Sequence, residues 1–380
     1  MTAALVAFLI KLKAMADSGK IVSLDRNKVI SVEGYSQDQD PLRWSNWLRP
    51  RSWKLVVKRV FKDFFFDALM DRAATLTYFT LMAFAPTVLA AYSIAVMVFS
   101  TRKGQVRSMT GNFIDSYVPG ELAPQAHTIV DSIISSRTES TIALLISLLI
   151  SLFAASGYVR AFSRTANVVY GRSEGRSLIR TWMMMWVLTI GLIVGSVLVI
   201  FSNLLRDTII TGVIDPIAEP LGLERVADFL IGVFLPVWSW VRLPFTIAVL
   251  LVLIAVLYHF APNVKPLRFR WLSLGAVVAL GVGAGAWTLL ALYIKYLAGA
   301  SAYGAISTLM ALLVVLWLGN TGLVLGIKID AEILRARELQ MGIESQRYIQ
   351  APPRSDASAQ ALAKHQRELE EESLEIAEID

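Results

Sequence analysis

Long apolar runs alternate with short charged segments along most of the chain. Six of these runs, at residues 71–99, 141–159, 182–205, 243–260, 271–297 and 303–327, have about the length at which a helix crosses roughly 30 Å of hydrocarbon. The polar stretch 101–140 carries apolar residues at helical spacing, which predicts amphipathic helices lying on the membrane surface. The pattern therefore predicts an all-α integral membrane protein with six transmembrane helices and additional interfacial helices.

Two prolines interrupt the apolar pattern. Pro86 lies inside the first run, where it removes one backbone donor and clashes with the preceding turn, so we expect a kink there. The kink either serves helix packing or marks a break that lines a cavity. Pro236 interrupts the stretch 229–240, which extends the fourth span, re-enters the membrane or lies in the interface; we favour an interfacial helix leading into the span.

Composition agrees with a membrane location. Hydrophobic residues make up 55% of the chain and charged residues 17%, and the mean hydropathy is +0.56. A soluble domain usually carries about a quarter charged residues. The chain has no cysteine, which excludes disulfides, thiol catalysis and thiolate metal sites. The formal net charge of +6 indicates membrane topology rather than affinity for nucleic acid.

The placement of Lys and Arg predicts the orientation of the chain. Basic residues are in excess before the first span and in the segments 160–180, 265–270 and 328–337, which fall on one side of six spans. Because cytoplasmic loops carry this excess, both termini are predicted to be cytoplasmic in the bacterial inner membrane. Trp44, Trp47 and Trp53 stand among basic residues and predict an interfacial anchor on anionic lipid.

Three regions follow from this pattern. Residues 1–53 are predicted to be a cytoplasmic lead-in that ends in the interfacial anchor, and residues 54–337 form the membrane domain. Residues 338–380 are predicted to be an acidic cytoplasmic tail, disordered or only partly helical, because Pro352 and Pro353 precede a Glu-rich run. A solvated tail is the simpler interpretation, and a segment that binds a protein partner is the alternative.

Residue types that carry catalysis are scarce. The three histidines, His127, His259 and His365, lie far apart in sequence without the spacing of a metal site, and no phosphate-binding loop is present. We therefore expect no enzyme, no catalytic residue, no metal site and no cofactor.

Polar groups and a helix break inside membrane runs are the candidates for a substrate path, because such features inside a membrane are often functional. The candidates are Arg72, Tyr78, Pro86, Asn320 and Asp330. The structural alternative for the charged members is pairing between helix ends, with Asp71 and Arg72 bound to Lys328 or Asp330.

Glycines mark the last two runs at small-residue spacing, which lets helix backbones approach closely. The predicted packing residues are Gly275, Gly281, Gly285, Gly322 and Gly326. The alternative is that they leave a smooth groove for a lipid chain or a substrate.

Several motifs resemble, in the same order, those of the YihY/BrkB family of bacterial inner-membrane proteins. They are Arg72-Ala-Ala-Thr-Leu-Thr-Tyr78 with Pro86, Ala166-Asn167, Tyr170-Gly171, Arg176, Pro262-Asn263, Gly275-Ala276, Tyr303-Gly304, Trp317 and Gly326. The match covers roughly residues 54–337. One departure is Lys328, where the family tends to have glutamate.

The resemblance implies a six-span inner-membrane protein with both ends cytoplasmic. Family members have carried the label ribonuclease BN, but the metal ligands of such an enzyme are missing from this sequence. The leading hypothesis is a transporter-like protein that moves or binds a lipid or another amphiphile. The alternatives are a gradient-driven exporter of small solutes or ions and a membrane scaffold. Membrane lipids are the expected partners, nucleic acid is not, and a homo-oligomer remains an alternative.

Overall fold

The computed structural model describes residues 40–43, 46–98, 140–204, 230–265, 269–296 and 304–379, with scattered residues between 111 and 128. The lead-in before residue 40 and Trp44 lie outside the described residues, and so does nearly all of the segment 101–140 with its predicted surface helices.

The described residues are helical apart from short connections. Helix α1 spans Pro50–Phe66, α2 spans Leu69–Val98, α3 spans Ser140–Val169 and α4 spans Leu178–Leu204. A π-helical turn at Leu230–Phe234 leads into α5, Leu235–Phe260. Then follow α6 at Leu274–Tyr296, α7 at Gly304–Gln340 and α8 at Ala357–Ile379.

Four helices of the described chain are long and apolar enough to cross a membrane. They cover Leu178–Ile200, Gly232–Phe260, Leu274–Tyr296 and Ile306–Gln340. Helices α2 and α3, each of 30 residues, stand where the first two spans are predicted. The all-helical membrane class is therefore confirmed, while six spans and the orientation of the termini stay predictions.

The structure bears on both prolines that interrupt the apolar pattern. The stretch around Pro236 extends the fourth span rather than forming a separate interfacial helix, since α5 begins at Leu235 and places Pro236 in its first turn. Proline is tolerated there because the first N–H groups of a helix have no intrahelical partner. Helix α2 continues without interruption past Pro86, so the backbone is not broken there.

The main apolar core lies at one end of the helices. Its largest cluster takes residues from the starts of α2, α4 and α6 and from the ends of α3, α5 and α7, among them Leu76, Phe162, Met185, Tyr258 and Ile327. Consecutive helices therefore run antiparallel. We call this end of the bundle the core end and the opposite end the open end.

Glycines bring α6 and α7 together near the core end. A Cβ on Gly275 would overlap the carbonyl oxygen of Gly326, and a Cβ on Gly326 would overlap the carbonyl oxygen of Gly275. A Cβ on Gly322 would lie 2.8 Å from the Cβ of Val282. The two helices thus approach at a distance that only small residues allow.

The predicted glycines Gly281 and Gly285 make no such contact. Both lie on the exposed side of α6, and no described atom comes within 4 Å of either Cβ position. Regular spacing marks a small-residue face but does not reveal which face meets the neighbour. Gly157 of α3 and Gly195 of α4 make close contacts instead, against Phe79 of α2 and Leu253 of α5.

Both predicted domain boundaries fall inside packed helices. Helix α1 begins before residue 54 and buries Val56 against Ile333 and Ala336 of α7, while Phe61 and Phe65 on its other side are exposed. The boundary at 337 cuts α7. The charged residues in the last turns of this helix are predicted to face solvent, but several of them form ion pairs inside the protein.

The sequence predicts a free tail after α7, but the residues that follow this helix return to the core. Helix α7 ends with Gly342 at a φ of +79°, a left-handed conformation that favours glycine, and Ile343 N–H donates to the carbonyl of Glu338 at 3.0 Å. Ile349 and Ala351 are then buried in the main cluster. The final segment is one helix, α8, rather than a disordered tail, and its later turns are exposed.

Substituting Gly326→Ala should destabilise the protein by about 3 kcal/mol, because the new methyl group meets backbone atoms that cannot rotate away. The matched variant Gly281→Ala, on the packing partner α6, should be neutral or stabilising by up to about 1 kcal/mol, since its site is open and alanine favours helix. Thermal unfolding in detergent measures both. Equal effects of the two substitutions would contradict the close α6–α7 contact.

Candidate functional site

The carbonyl groups at the end of α5 are bound by two arginines at the core end. Arg176 Nη2 donates to Ala261 O at 2.9 Å and Arg176 Nη1 donates to Phe260 O at 3.4 Å. Arg354 Nη2 donates to His259 O at 2.7 Å. The last carbonyls of a helix lack intrahelical partners and attract cations. Burial, followed by repulsion from Arg176, lowers the pKa of Arg354.

Arg176 is almost fully buried, and Glu174 neutralises it. The guanidinium reaches both carboxylate oxygens, with distances of 2.6 and 2.8 Å, which is the bidentate geometry of a strong pair. Glu174 also accepts from Asn167 Nδ2 at 3.0 Å, and Asn167 Oδ1 accepts from the backbone N–H of Asn263 at 2.6 Å. The end of α3, the loop after it and the loop after α5 are thus joined by side chains.

Asn263 connects this network to the segment after α7. Its Nδ2 donates to Ser173 O at 3.1 Å and to Ser355 O at 2.8 Å. The backbone N–H of Ser355 donates back to Asn263 Oδ1 at 3.2 Å, and an isolated antiparallel bridge pairs Val264 with Pro353. Every polar atom of the Asn263 side chain is used to hold chain segments together.

The start of α6 is capped by a carboxylate from α7. Asp330 Oδ1 accepts from the backbone N–H of Gly275 at 2.9 Å, and Ser273 Oγ accepts from Ala276 N–H at 3.0 Å. The first N–H groups of a helix lack partners and carry positive potential, so an acidic side chain is favourable there. Asp330, a predicted path residue, therefore has a structural partner in this cap.

A cavity of about 60 Å³ adjoins Asp330 at the core end. Its polar lining includes Tyr170, Tyr258, Arg270 and Ser273. Water occupies about 30 Å³ per molecule in the liquid, so this space suits a very few waters and is far below the size of a ligand pocket. Burial raises the pKa of Tyr170, which keeps its hydroxyl protonated.

Lys328 of α7 is buried and neutralised by carboxylates. Its Nζ lies 2.9 Å from Asp63 Oδ2 of α1, 3.0 Å from Glu332 Oε1 and 3.9 Å from Asp67 Oδ2. Glu332 accepts in addition from Arg335 Nε at 3.0 Å. Burial raises the pKa of Asp67, and the ammonium of Lys328 opposes that shift. The positive charge of Lys328 is therefore neutralised by the acidic residues around it.

Asn320, another predicted path residue, belongs to a polar network between α2, α3 and α7. Its Oδ1 accepts from Tyr158 Oη at 3.0 Å, and its Nδ2 donates to Thr77 Oγ1 at 3.1 Å. The Thr77 hydroxyl donates to Ala73 O at 2.9 Å. Interhelical hydrogen bonds of this kind join helices in a membrane, so the network serves cohesion.

The structure does not bring the five predicted path residues together. Arg72 Nε donates to Asp67 O at 3.4 Å near the core end, whereas Tyr78 is 55% exposed on the outside of the bundle. The side chain of Pro86 lies outside the described ones. The expected pairing also differs, because Lys328 takes its nearest carboxylate from Asp63 rather than from Asp71.

Sequence reasoning missed the acidic partners Asp63, Glu174 and Glu332. Glu174 does carry a signal, since it is the single acidic residue within the basic segment 160–180, and a lone acid among arginines indicates an ion pair. Glu332 stands four residues after Lys328, a helical pairing distance. No comparable local signal marks Asp63, which is far from Lys328 in sequence.

Groups of three or more His, Asp and Glu side chains that could hold a metal ion are absent from the described part of the chain. The fold and this region define a helical membrane protein whose apolar helices are joined at one end by buried polar side chains.

The model of the family described as Virulence factor BrkB matches residues 60–348, well over half of the chain. The chain belongs to this family, which confirms the resemblance of its motifs. No curated protein and no solved structure matches the chain. The motif residues Asn167, Arg176, Asn263, Gly275 and Gly326 meet at the core end.

Substituting Lys328→Met should destabilise the protein by about 3 kcal/mol, because it leaves the buried carboxylate of Glu332 with fewer partners. Adding Asp63→Asn to this variant should recover part of the loss, because it removes the charge of the α1 carboxylate that Lys328 neutralises. Chemical or thermal unfolding in detergent measures the series.

The control is Lys364→Met on α8, where the lysine is exposed and lies 3.9 Å from Glu368. That substitution should leave stability unchanged, since exposed pairs contribute little. A Lys328→Met variant as stable as this control would show that the buried cluster does not hold α1 on α7.

Proposed function

We propose that the protein is a transporter-like protein of the bacterial inner membrane that moves or binds a lipid or another amphiphile. In this proposal six helices span the membrane and both termini are cytoplasmic, which places the core end at the cytoplasmic face. The observation that supports it is the loose packing of apolar helices at the open end.

Helix α5 packs along one stripe in its open-end half. Trp238 Nε1 donates to Ser202 O of α4 at 3.2 Å, and Thr246 Oγ1 accepts from Asn203 Nδ2 of α4 at 3.1 Å. Large apolar side chains on the remaining faces are exposed, including Trp240 at 84% and Leu243 at 66%. Among the described residues, the polar contacts of this half of α5 are thus made with α4, and its other faces present apolar side chains.

Helix α6 behaves in the same way toward α7. Ala286 and Leu290 are buried against Val315, whereas Trp287 and Leu289 on the other faces are exposed. The buried stripe of α6 is taken by α7, as that of α5 is taken by α4. Two helix pairs therefore share a core at one end and present separate apolar faces at the other.

Separate apolar faces on two helix pairs suit an acyl chain better than a hydrated solute. An acyl chain contacts such faces without losing favourable surroundings, whereas a solute or ion needs polar groups along its path. The exporter alternative depends on a wet path past Tyr78 and Asn320, and Asn320 is instead bonded to Tyr158 and Thr77. Lipid handling is therefore the better supported proposal.

The scaffold alternative has one supporting observation, the exposed helix α8. Its start is held by Ser358, whose Oγ donates to Arg176 O at 2.8 Å, while Leu369 and Ile376 in later turns are exposed. Removing residues 359–380 separates the two functions, because a scaffold loses its partner while lipid transfer by the spans is kept.

Lipid transfer is measured in proteoliposomes that contain the full chain and a fluorescent phospholipid in both leaflets, with a quencher added outside. The protein should accelerate exchange between leaflets relative to empty vesicles. Substituting Leu243→Arg in the open-end half of α5 should slow exchange about tenfold, because a cation among acyl chains is costly at membrane depth.

The matched control is Leu272→Arg, at an exposed position just before α6 at the core end, where arginine reaches the headgroup region. It should exchange lipid at the wild-type rate. Equal rates for protein-containing and empty vesicles, or an ion flux without lipid exchange, would overturn the proposed function.

A further inference from the structure

An arginine on the outer flank of α3 packs against a pair of aromatic rings whose centroids lie 5.8 Å apart. The guanidinium carbon of Arg160 lies 5.1 Å from the ring centroid of Phe153 and 4.9 Å from that of Trp182 on α4. Both rings are partly exposed, Phe153 at 49% and Trp182 at 36%. The rings fix the position of the cation and leave it accessible from the side.

The side chain points along α3 toward the open end rather than toward the nearer end of the helix. Side chains of a helix lean toward its N-terminus, and Arg160 accordingly reaches back to Ser156, to whose hydroxyl its Nη1 donates. Arg160 precedes the last residue of α3, Val169, by nine positions, or roughly 13 Å. An arginine near a span end normally extends toward water, and this one extends the other way.

The charge of Arg160 has no anionic partner among the described residues. Neither Arg160 nor its neighbour one turn on, Arg164, forms an ion pair with a carboxylate there, and the two cations repel each other. A charge at membrane depth is costly unless it is paired. Aromatic faces attract a cation more weakly than an anion does.

Other arginines that are buried in the described chain find oxygen acceptors. Arg176 has Glu174 and the end of α5, and Arg335 Nε donates to Glu332 at 3.0 Å. Arg172 Nη2 donates to Ile349 O at 2.6 Å. Arg160 differs from all three in having rings and one hydroxyl in place of a carboxylate or carbonyl oxygens.

The backbone of α3 comes close both to the guanidinium and to α2. A Cβ on Gly157 would lie 3.7 Å from Arg160 Nη2 and 2.9 Å from the ring of Phe79 on α2. The next ring along α2, that of Tyr78, stands edge-on to Phe79 at a centroid distance of 5.5 Å and is exposed. Aromatic side chains of α2 therefore lie near this flank of α3, beside the two rings that Arg160 contacts.

We propose that Arg160, packed against the adjoining rings of Phe153 and Trp182, binds the phosphate group of an anionic phospholipid. The planar guanidinium offers two parallel donors to phosphate oxygens, which is the geometry that arginine provides and lysine does not. Arg164 adds a second positive charge at the same flank, and the aromatic rings contact the acyl chains. This site would give the proposed lipid handling a preference for anionic headgroups, and in that role it rests on the proposed function.

Binding is measured by native mass spectrometry on the purified full chain, with dioleoylphosphatidylglycerol and dioleoylphosphatidylcholine as separate probes and inorganic phosphate as competitor. Arg160→Gln should weaken binding of the anionic lipid about tenfold, the effect of losing a charge-assisted pair. Trp182→Leu keeps the charge but removes one ring, so it should weaken binding by a smaller factor. Arg367→Gln, at an exposed position on α8, should bind as the wild type does.

Each variant is first compared with the wild type in its lipid-free melting temperature, and Trp182→Leu carries the test if Arg160→Gln does not fold. Unchanged affinity in the folded variants, equal binding of the two lipids, or displacement of the lipid by millimolar inorganic phosphate would overturn the proposal. Lipid exchange by a wild-type protein that shows no preference for the anionic headgroup would overturn this site alone. Headgroup binding without any exchange would overturn only the proposed transfer.

Discussion

The structure depends on the satisfaction of helix ends that are buried inside the protein. Helix α5 ends and α6 begins at the same place, so unpaired carbonyls and unpaired N–H groups lie close together away from bulk water. Arg176 and Arg354 bind the carbonyls, and Asp330 binds an N–H group. A buried backbone group without a hydrogen-bond partner costs about 1–3 kcal/mol of stability, which is more than a typical hydrogen bond contributes. These side chains therefore hold the loops, and through them the relative positions of the helices.

The same requirement explains why charges accumulate at the end of α7. Lys328 and Glu332 are buried, and each is neutralised within the cluster they form with Asp63 and Arg335. Buried ion pairs add little net stability compared with apolar residues, but they tolerate only partners of the right charge in the right place. The cluster therefore determines how α1 lies on α7. Lys328 is accommodated here because acidic residues face it.

The sequence predicts the membrane class, the approximate helix positions and the family, since these follow from apolar run length and local motifs. It does not predict which faces meet. Gly275 and Gly281 carry the same local signal, yet Gly275 touches the backbone of α7 and Gly281 faces open space, because the difference lies in the rotation of α6. The partner of Lys328 and the return of Ile349 to the core are equally hidden, since both depend on contacts between distant segments. The contacts of Asn320 are hidden for a related reason, since its partners Tyr158 and Thr77 lie on two other helices.

The two ends of the bundle place opposite limits on movement. At the core end, moving α5 away from the loop after α3 would break the bonds of Arg176, and moving α6 away from α7 would break that of Asp330. Either movement leaves buried groups without partners, so this end must move as a unit. At the open end, α5 and α6 each pack along one apolar stripe. Their other faces are apolar, so in a membrane they would contact lipid before and after a movement, and the movement would cost little. Any change in the separation of the two helix pairs at this end therefore requires bending or pivoting about the core end. Gly195 lets Leu253 of α5 pack directly against the backbone of α4, which holds this pair closely together.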